Sequence, residues 1–481
     1  MSKSNKIVLT IIFFGFIISV GLSLNNLKKY DKNVLDNDDY YHQMIKFDAY
    51  RYLSHGSEIK DQLKDGVNFF KTGREHYTKY LPPRVMAAYY YFFDLDLFNK
   101  NFKKKNDKLI NTGIHFPYLL FQSIVYYFCI ILFYFSILKI IKPSTAMFVV
   151  AFLSLEPTIM QYHSSFWSES LFFSIQILLI ALILKKNQTT FNFFLIGFFL
   201  ALLSLQKEYS IFYILPIVIF LLIFLEKRSI KNFLGLIVGF IMVQSILGFN
   251  NYYRSGDFYI MPATTKTDLH MLLVTNVMSK KFDIETGEFQ SLEGKAVSRW
   301  INHNSIELKE KEDDRLLSSY NNPSLWTYRD YIKNEPDKIR FDEFIQKRTI
   351  SYFKKYPIDF VSEIFKRSVH TVLLNPFHIY SDHNFKSGEV YYLSKKHDEL
   401  IPYRIFYTMI IYLICLIGLY SFVKEKNYMV LLFLILSITY FFAPICWHGN
   451  TRYFLPCFIY FSFFFGLGID KLINYRKIQD N

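Results

Sequence analysis

Residues 118–138 read YLLFQSIVYYFCIILFYFSIL, and no Asp, Glu, Lys or Arg interrupts them. About 20 apolar residues in a helix suffice to cross the hydrocarbon core of a bilayer, so this stretch predicts a membrane helix rather than part of a soluble enzyme. Similar apolar blocks elsewhere indicate an all-α, polytopic integral membrane protein of about ten transmembrane helices. The predicted spans are 7–24, 118–138, 144–159, 166–184, 191–206, 209–225, 232–249, 404–423, 428–446 and 452–470.

The composition excludes other classes of protein. Hydrophobic residues make up 52% of the chain, which is incompatible with intrinsic disorder. The four cysteines lie in apolar stretches, where a free thiol behaves as a small hydrophobic group, so we expect no disulfide framework. The block 7–24 is longer than the core of a cleaved signal peptide, and we therefore expect it to remain as the first transmembrane helix.

The charges show how the spans are oriented. With the N-terminus in the cytoplasm, ten spans leave six segments inside, and these hold 14 basic residues against four acidic ones. Basic residues concentrate in cytoplasmic loops of membrane proteins, so this asymmetry supports the orientation. The inner segments are 1–6, 139–143, 185–190, 226–231, 424–427 and the short tail from Asp470.

Two long segments, 25–117 and 250–403, then lie outside the membrane. Outside the six inner segments lie the other 41 of 55 basic and 37 of 41 acidic residues, nearly all of them in these long segments and the short outer turns. This balance argues against a nucleic-acid surface. Segment 250–403 ends in two predicted amphipathic helices, which we expect to brace the bundle at the membrane surface. The apolar positions are Phe341, Phe344, Ile345 and Phe353 in the first helix, and Val361, Ile364, Phe365 and Val372 in the second.

The chain therefore divides into three parts. Residues 1–249 form an N-terminal transmembrane module that includes the first outer loop, 25–117. Residues 250–403 form a mostly helical extracytoplasmic loop, and residues 404–481 form a C-terminal transmembrane module.

Ionisable residues near the spans gather at their predicted outer ends. Because the span interiors are almost free of such residues, a transporter is disfavoured, and the convergence predicts one functional site at the outer face. Each of these residues also has a purely structural interpretation. The acids at 36–39 can be a solvated run, Lys207 and Glu208 can pair across a turn, and His448 and Arg452 can cap a turn. The candidates are Asp36, Asp38, Asp39, His163, Glu169, Lys207, Glu208, Arg254, His448 and Arg452.

Six motifs carry a family resemblance by their order and membrane side. They are DNDDYY (36–41), YLPPRVMAAYYYFF (80–93), EPTIMQYHSSFWSESLF (156–172), GFFLALLSLQKE (197–208), NYYRSGDF (251–258) and TRYFLP (451–456). In this order they resemble the polytopic membrane glycosyltransferases of the C superfamily, especially the family 39-type branch of protein O-mannosyltransferases and aminoarabinose transferases. The resemblance covers about residues 1–470. Two departures are Lys207-Glu208, where the family often has Arg-Pro, and the long loop 250–403 in place of a soluble C-terminal domain.

The resemblance implies transfer of a sugar from a polyprenyl-phosphate donor to a glycan, lipid or protein acceptor at the outer face of a bacterial cytoplasmic membrane. It implies that Asp39 or Asp38 is the general base, and that the sugar's configuration is inverted. Cations would stabilise the leaving phosphate. No cofactor is required on this interpretation, although Asp36 and Asp38 have the spacing to hold a divalent metal. The implied substrate-binding residues are Glu169, Lys207, Glu208, Arg254, Arg452, Arg84, His163 and His448.

Three other functions stay open from the sequence. One is a non-catalytic membrane partner, in which the polar outer ends would not converge on one cavity. A polysaccharide polymerase or ligase of the O-antigen type would also act at the outer face, but would depend on outer-loop arginines rather than on acids after the first span. A lipid-linked sugar flippase or transporter would place charged groups near mid-membrane and often contains internal repeats.

Overall fold

The computed structural model describes most of the chain, and helices dominate it. The described residues are 3–36, 48–73, 80–95, 98–103, 108–110, 115–185, 189–224, 230–256, 258, 260, 269–308, 332–376, 395–425, 428–444, 446 and 451–479. They include one short antiparallel hairpin, β1 (Phe98–Lys103) and β2 (Lys108–Ile110). Helices make up the rest of the regular structure in the described residues, so the all-α fold class is confirmed apart from this hairpin.

The described ranges contain seventeen α-helices, numbered in chain order. Short 3-10 segments at Phe69–Lys71, Glu208–Tyr213 and Thr451–Cys457, and a π-helical turn at His270–Val274, connect some of them. The helices are α1 (Lys3–Asp36), α2 (Asp48–Lys64), α3 (Leu81–Phe92), α4 (Phe116–Ile137), α5 (Pro143–Leu155), α6 (Pro157–His163), α7 (Glu169–Ile183), α8 (Thr190–Gln206), α9 (Ile214–Phe224), α10 (Ile230–Ser255), α11 (Thr275–Phe282), α12 (Thr286–His303), α13 (Glu335–Lys355), α14 (Pro357–Val372), α15 (Lys395–Lys424), α16 (Tyr428–Phe442) and α17 (Phe458–Gln479).

A helix lies at each of the ten predicted spans, but not all of these helices are long enough to cross a bilayer. In the described part of the chain, five helices are long and apolar enough to cross a membrane, or up to six if the bent pair α5–α6 forms one span. Three shorter apolar helices lie at Glu169–Ile183, Thr190–Gln206 and Val430–Phe442. The helical membrane character is therefore confirmed, whereas ten crossings and their orientation stay predictions. The five long helices are Ser4–Lys28, Phe116–Ile137, Ile230–Tyr253, Ile401–Lys424 and Arg452–Asn474.

The predicted span 144–159 is broken rather than straight. Helices α5 and α6 meet at an angle of 52°, because Pro157 at the first position of α6 cannot continue the helix before it. Glu156 caps the new helix by accepting a hydrogen bond from the Ile159 backbone N–H at 2.9 Å. Its other oxygen accepts one from the Tyr407 hydroxyl at 2.8 Å, which holds the break against α15.

Glycines let two helix pairs pack backbone to backbone. A Cβ at Gly418 of α15 would overlap the Phe464 carbonyl of α17, and Gly468 faces the Ile414 carbonyl in the same way. Helices α8 and α10 meet similarly at Gly197 and Gly239. Small residues at helix contacts are the usual basis of association in membranes, where hydrophobic burial does not distinguish a neighbouring helix from lipid.

Helices α11–α14 form a second layer with a core of its own. Phe289 and Phe360 are buried there with residues of α11 and the preceding turn. Glu293 of α12, 2% exposed, accepts hydrogen bonds from Arg348 (Nη2 to Oε1, 2.6 Å) and the Tyr352 hydroxyl (2.7 Å) and pairs with His270. Burial opposes ionisation of this carboxyl, but those hydrogen bonds outweigh it and lower its pKa to about 2.

Helix α14 has an apolar face that the rest of the protein leaves exposed. Ile358 is 82% exposed, Val361 66% and Phe365 70%. The predicted stripe is thus divided between two faces, because Ile364 and Val372 pack inward against buried clusters.

Replacing Gly418 with alanine should separate α15 from α17. We expect a loss of about 1–3 kcal/mol because the added methyl group overpacks a backbone contact, measured as a lower thermal midpoint of the protein in detergent. Gly21 of α1 is the matched control, since a Cβ there meets nothing within 4 Å. Gly21→Ala should be neutral or slightly stabilising; equal destabilisation by both changes would contradict the close packing.

The Glu293 cluster should make stability depend on pH in the acid range. Because the folded pKa is lowered to about 2, ionised Glu293 stabilises the fold fully above its unfolded pKa, about 4.3, and this contribution is lost as pH falls toward 2. Glu293→Gln should lower the thermal midpoint at pH 7 and flatten its change between pH 4.5 and pH 2.5, relative to the wild type. Glu343→Gln, at an exposed position of α13, should leave both measurements unchanged.

Candidate functional site

Glu169 pairs with two cations from distant parts of the chain. Its Oε1 atom lies 2.9 Å from Lys207 Nζ and 2.5 Å from Arg452 Nε. All three side chains are at most 5% exposed. The ion pairs bring together residues that are separated by 38 and 283 positions in the sequence.

Each member of this cluster, called the Glu169 cluster below, is placed by the end of a helical element. Glu169 is the first residue of α7, and Lys207 is the extended residue that terminates α8. Arg452 lies in the 3-10 segment before α17. Gln206 donates a hydrogen bond from its side-chain amide to the Ser168 carbonyl at 2.7 Å, which fixes the end of α8 beside the start of α7.

Aromatic rings enclose the two cations. The Arg452 guanidinium carbon lies 4.0 Å from the centre of the Trp167 ring, and Tyr453 lies within 6 Å of both cations. Lys207 Nζ is also 5.3 Å from the centre of Phe172. Cation–π contacts stabilise desolvated cations, and the low local dielectric strengthens their attraction to the carboxylate.

Two buried cations held beside one carboxylate are suited to one kind of chemistry. Cations that are positioned in advance can stabilise negative charge that develops on a leaving group without reorganising at the moment of reaction. Glu169 holds both cations by one oxygen atom, so it orients them as well as compensating their charge. We call the end of the bundle that carries this cluster the outer end, following the predicted orientation, and the opposite end the inner end.

Two other predicted site residues are described but contact different neighbours. His163, at the end of α6, shares a 2.8 Å hydrogen bond with the Ser170 hydroxyl, and its ring lies 3.7 Å from that of Tyr126. Arg84 donates to the Thr72 carbonyl at 3.1 Å and lies over the Tyr80 ring. His163 therefore contacts the start of α7, and Arg84 joins α3 to the segment after α2.

The remaining predicted residues fall outside what the structure describes. Asp38, Asp39 and His448 lie outside the described residues. The side chains of Asp36, Glu208 and Arg254 are likewise outside the description, although each of these residues begins or lies in a described helical segment. The predicted meeting of the acidic run with Glu169 is therefore untested, as is a metal site at Asp36 and Asp38. Among the described residues no group of three or more His, Cys, Asp or Glu has an arrangement suited to a metal ion.

The sequence interpretation missed the aromatic partners and a second buried carboxylate. Trp167 and Tyr453 each lie within two positions of a cluster member, and an aromatic residue next to a charge in an apolar stretch is a usable signal for a cation–π contact. Glu156 directly precedes Pro157, and Pro at the first position of a helix is a usable signal for a helix start. Its bond to Tyr407 joins positions 251 apart, and no sequence spacing indicates that contact.

Comparison with known proteins adds no family assignment. No protein-family profile and no curated protein matches the chain. Among solved structures, it is similar to the archaeal oligosaccharyltransferase AglB from Archaeoglobus fulgidus, which was solved in complex with an inhibitory peptide and a dolichol-phosphate. The identity is 12% and the TM-score 0.45, over 100% of this chain and 52% of that one. The chain thus spans about half the length of that protein, and a likeness at this level carries no weight for function.

Removing the charge of Glu169 should destabilise the protein strongly. Glu169→Gln leaves Lys207 and Arg452 buried without their shared carboxylate, and breaking a buried pair in this way costs about 3–5 kcal/mol. The thermal midpoint of the protein in detergent should therefore fall by many degrees. Glu307→Gln is the control, since its pair with Lys333 is more than 60% exposed on both sides and should change stability by less than about 1 kcal/mol. Equal midpoints for the two variants would rule out a stabilising role for the cluster.

Proposed function

We propose that this protein is a membrane glycosyltransferase that moves a sugar from a polyprenyl-phosphate donor to an acceptor at the extracytoplasmic face. One observation carries the proposal: the Glu169 cluster holds two buried cations at the ends of apolar helices. The phosphate of a lipid-linked donor at the outer end of the bundle would carry a negative charge that these cations can bind. The order of the six sequence motifs resembles that of the family 39-type branch of the C superfamily, and this resemblance supports the same kind of sugar transfer here.

The proposed reaction is a single displacement at the anomeric carbon. An acceptor X–H attacks that carbon while a carboxylate of the first outer loop, Asp39 or Asp38, takes the proton. The new X–C bond forms as the bond from carbon to phosphate oxygen breaks, and the electron pair leaves on the polyprenyl phosphate. Attack from the face opposite the leaving group inverts the configuration of the sugar.

Lys207 and Arg452 are proposed to bind the phosphate of the donor. Their charge stabilises the phosphate as negative charge develops on its bridging oxygen in the transition state. Arginine suits this role because its planar donors match the phosphate oxygens. Glu169 is proposed as a positioning residue that keeps the two cations together. Arg254, Arg84, Glu208, His163 and His448 remain proposed substrate-binding residues on the family resemblance alone, and a divalent metal at Asp36 and Asp38 stays an open alternative.

The proposal is tested by mass spectrometry of cell-surface glycans. Cells that lack the gene, complemented with the wild type, should regain one glycan, glycolipid or glycoprotein species that the uncomplemented cells lack. Asp38→Asn/Asp39→Asn should reduce that product by about 100-fold or more, because loss of a general base typically costs 10²–10⁴-fold. Arg452→Gln should reduce it as well, whereas Arg452→Lys should retain part of it.

Matched controls separate chemistry from folding. Asp65→Asn removes an exposed acid at the end of α2 and should leave the product unchanged, with all variants compared at equal amounts of membrane-inserted protein. Full transfer by Asp38→Asn/Asp39→Asn would refute the proposed base. A change only in the length distribution of a polysaccharide would refute single-sugar transfer and favour a polymerase or ligase.

A further inference from the structure

A cavity lies at the inner end of the bundle, far along the helices from the Glu169 cluster. Its volume is about 380 Å³, and it lies between the turn that joins α4 to α5, the end of α15, and α17. This volume is within the roughly 300–1,000 Å³ that is usual for small-molecule sites. Basic residues from two of these elements line it: Lys139 and Lys142 in the turn, and Lys471 on α17.

The acids of the cavity are already engaged. Lys471 Nζ lies 2.6 Å from Glu425 Oε1. Asp470 is 5% exposed, and its Oδ2 accepts a hydrogen bond from the Thr145 hydroxyl at 3.0 Å. Within the described ranges neither Lys139 nor Lys142 pairs with an acid, and both are exposed. Two ammonium groups thus stand at the rim of a cavity whose carboxylates have other partners.

The remaining walls are apolar and continue onto a surface that faces outward from the bundle. Phe422, Phe463 and Leu467 line the cavity. Beside it, Val423 is 45% and Leu472 42% exposed, as expected of side chains that face acyl chains. A phosphate ion alone uses only the ammonium groups, whereas a phospholipid uses both the cationic rim and the apolar walls.

We propose that this cavity binds the headgroup of an anionic phospholipid, with its phosphate on Lys139 and Lys142 and its acyl chains along the adjoining apolar surface. Basic pockets between membrane helices on the cytoplasmic side suit anionic headgroups, and each lysine near an anionic surface adds attraction. The site would attach the α4–α5 turn to α15 and α17 through a lipid at the end of the bundle opposite to the Glu169 cluster.

The test uses the full-length protein in detergent with three probes: phosphatidylglycerol, phosphatidylcholine and inorganic phosphate. Native mass spectrometry counts the retained lipid, and the thermal midpoint follows each titration, since a ligand of the folded state stabilises it by mass action. We expect phosphatidylglycerol to bind the wild type at least about tenfold more tightly than phosphatidylcholine. Lys139→Gln/Lys142→Gln should remove most of that difference.

Lys6→Gln/Lys231→Gln is the matched control, because it removes two exposed basic residues at the same predicted face outside the cavity lining. It should retain the wild-type preference. As a second measurement, raising the salt from about 50 mM to about 500 mM should weaken binding of phosphatidylglycerol to the wild type, but not of phosphatidylcholine. This readout does not depend on the folding of any variant.

Three results would overturn the proposal. The first is equal affinity of the wild type for phosphatidylglycerol and phosphatidylcholine, and the second is an unchanged preference in Lys139→Gln/Lys142→Gln. The third is stabilisation by millimolar inorganic phosphate as large as that by phosphatidylglycerol, which would identify a site for free phosphate instead of a lipid.

Discussion

The attraction between one buried carboxylate and two buried cations holds the outer end of the bundle together. Glu169 is the start of α7, Lys207 the end of α8, and Arg452 belongs to the approach to α17. Charges in so apolar a setting are costly unless they are paired, so these three segments have little freedom to separate. The constraint that positions the helix ends also places two cations where a lipid phosphate is proposed to bind.

Side-chain amides of three glutamines satisfy the carbonyls of irregular backbone segments, which must otherwise stay unpaired. Non-helical backbone at membrane depth is tolerated only where protein groups satisfy its carbonyls. Gln122 donates to the Ser165 carbonyl, Gln176 to the Pro456 carbonyl and Gln161 to the Asn375 carbonyl. These amides come from helices and meet carbonyls in turns or 3-10 segments, so the helical bundle supports the backbone that carries Trp167 and Arg452.

The two ends of the helical bundle differ in composition and packing. The outer end has a layer of helices, α11–α14, whose core contains the ionised Glu293 and its partners as a soluble domain would. The inner end has the short turn that carries Lys139 and Lys142, and its cavity opens beside exposed apolar side chains. A division of roles is consistent with this difference: phosphate chemistry is proposed at one end and attachment of a structural lipid at the other.

The sequence by itself determined the membrane class, the positions of the apolar helices and the group of ionisable residues that includes Glu169, Lys207 and Arg452. It could do so because an uncharged stretch as long as 118–138 is typical of a membrane helix, and because a carboxylate in an apolar run requires a partner. Only the tertiary structure decided which partners meet. The break at Pro157, the aromatic enclosure by Trp167 and Tyr453, and the contact of Glu169 with a cation 283 positions away depend on which helix faces lie together. In a membrane that choice follows from close packing at glycines such as Gly418, and hydrophobic patterning, which is similar on every face of these helices, does not encode it.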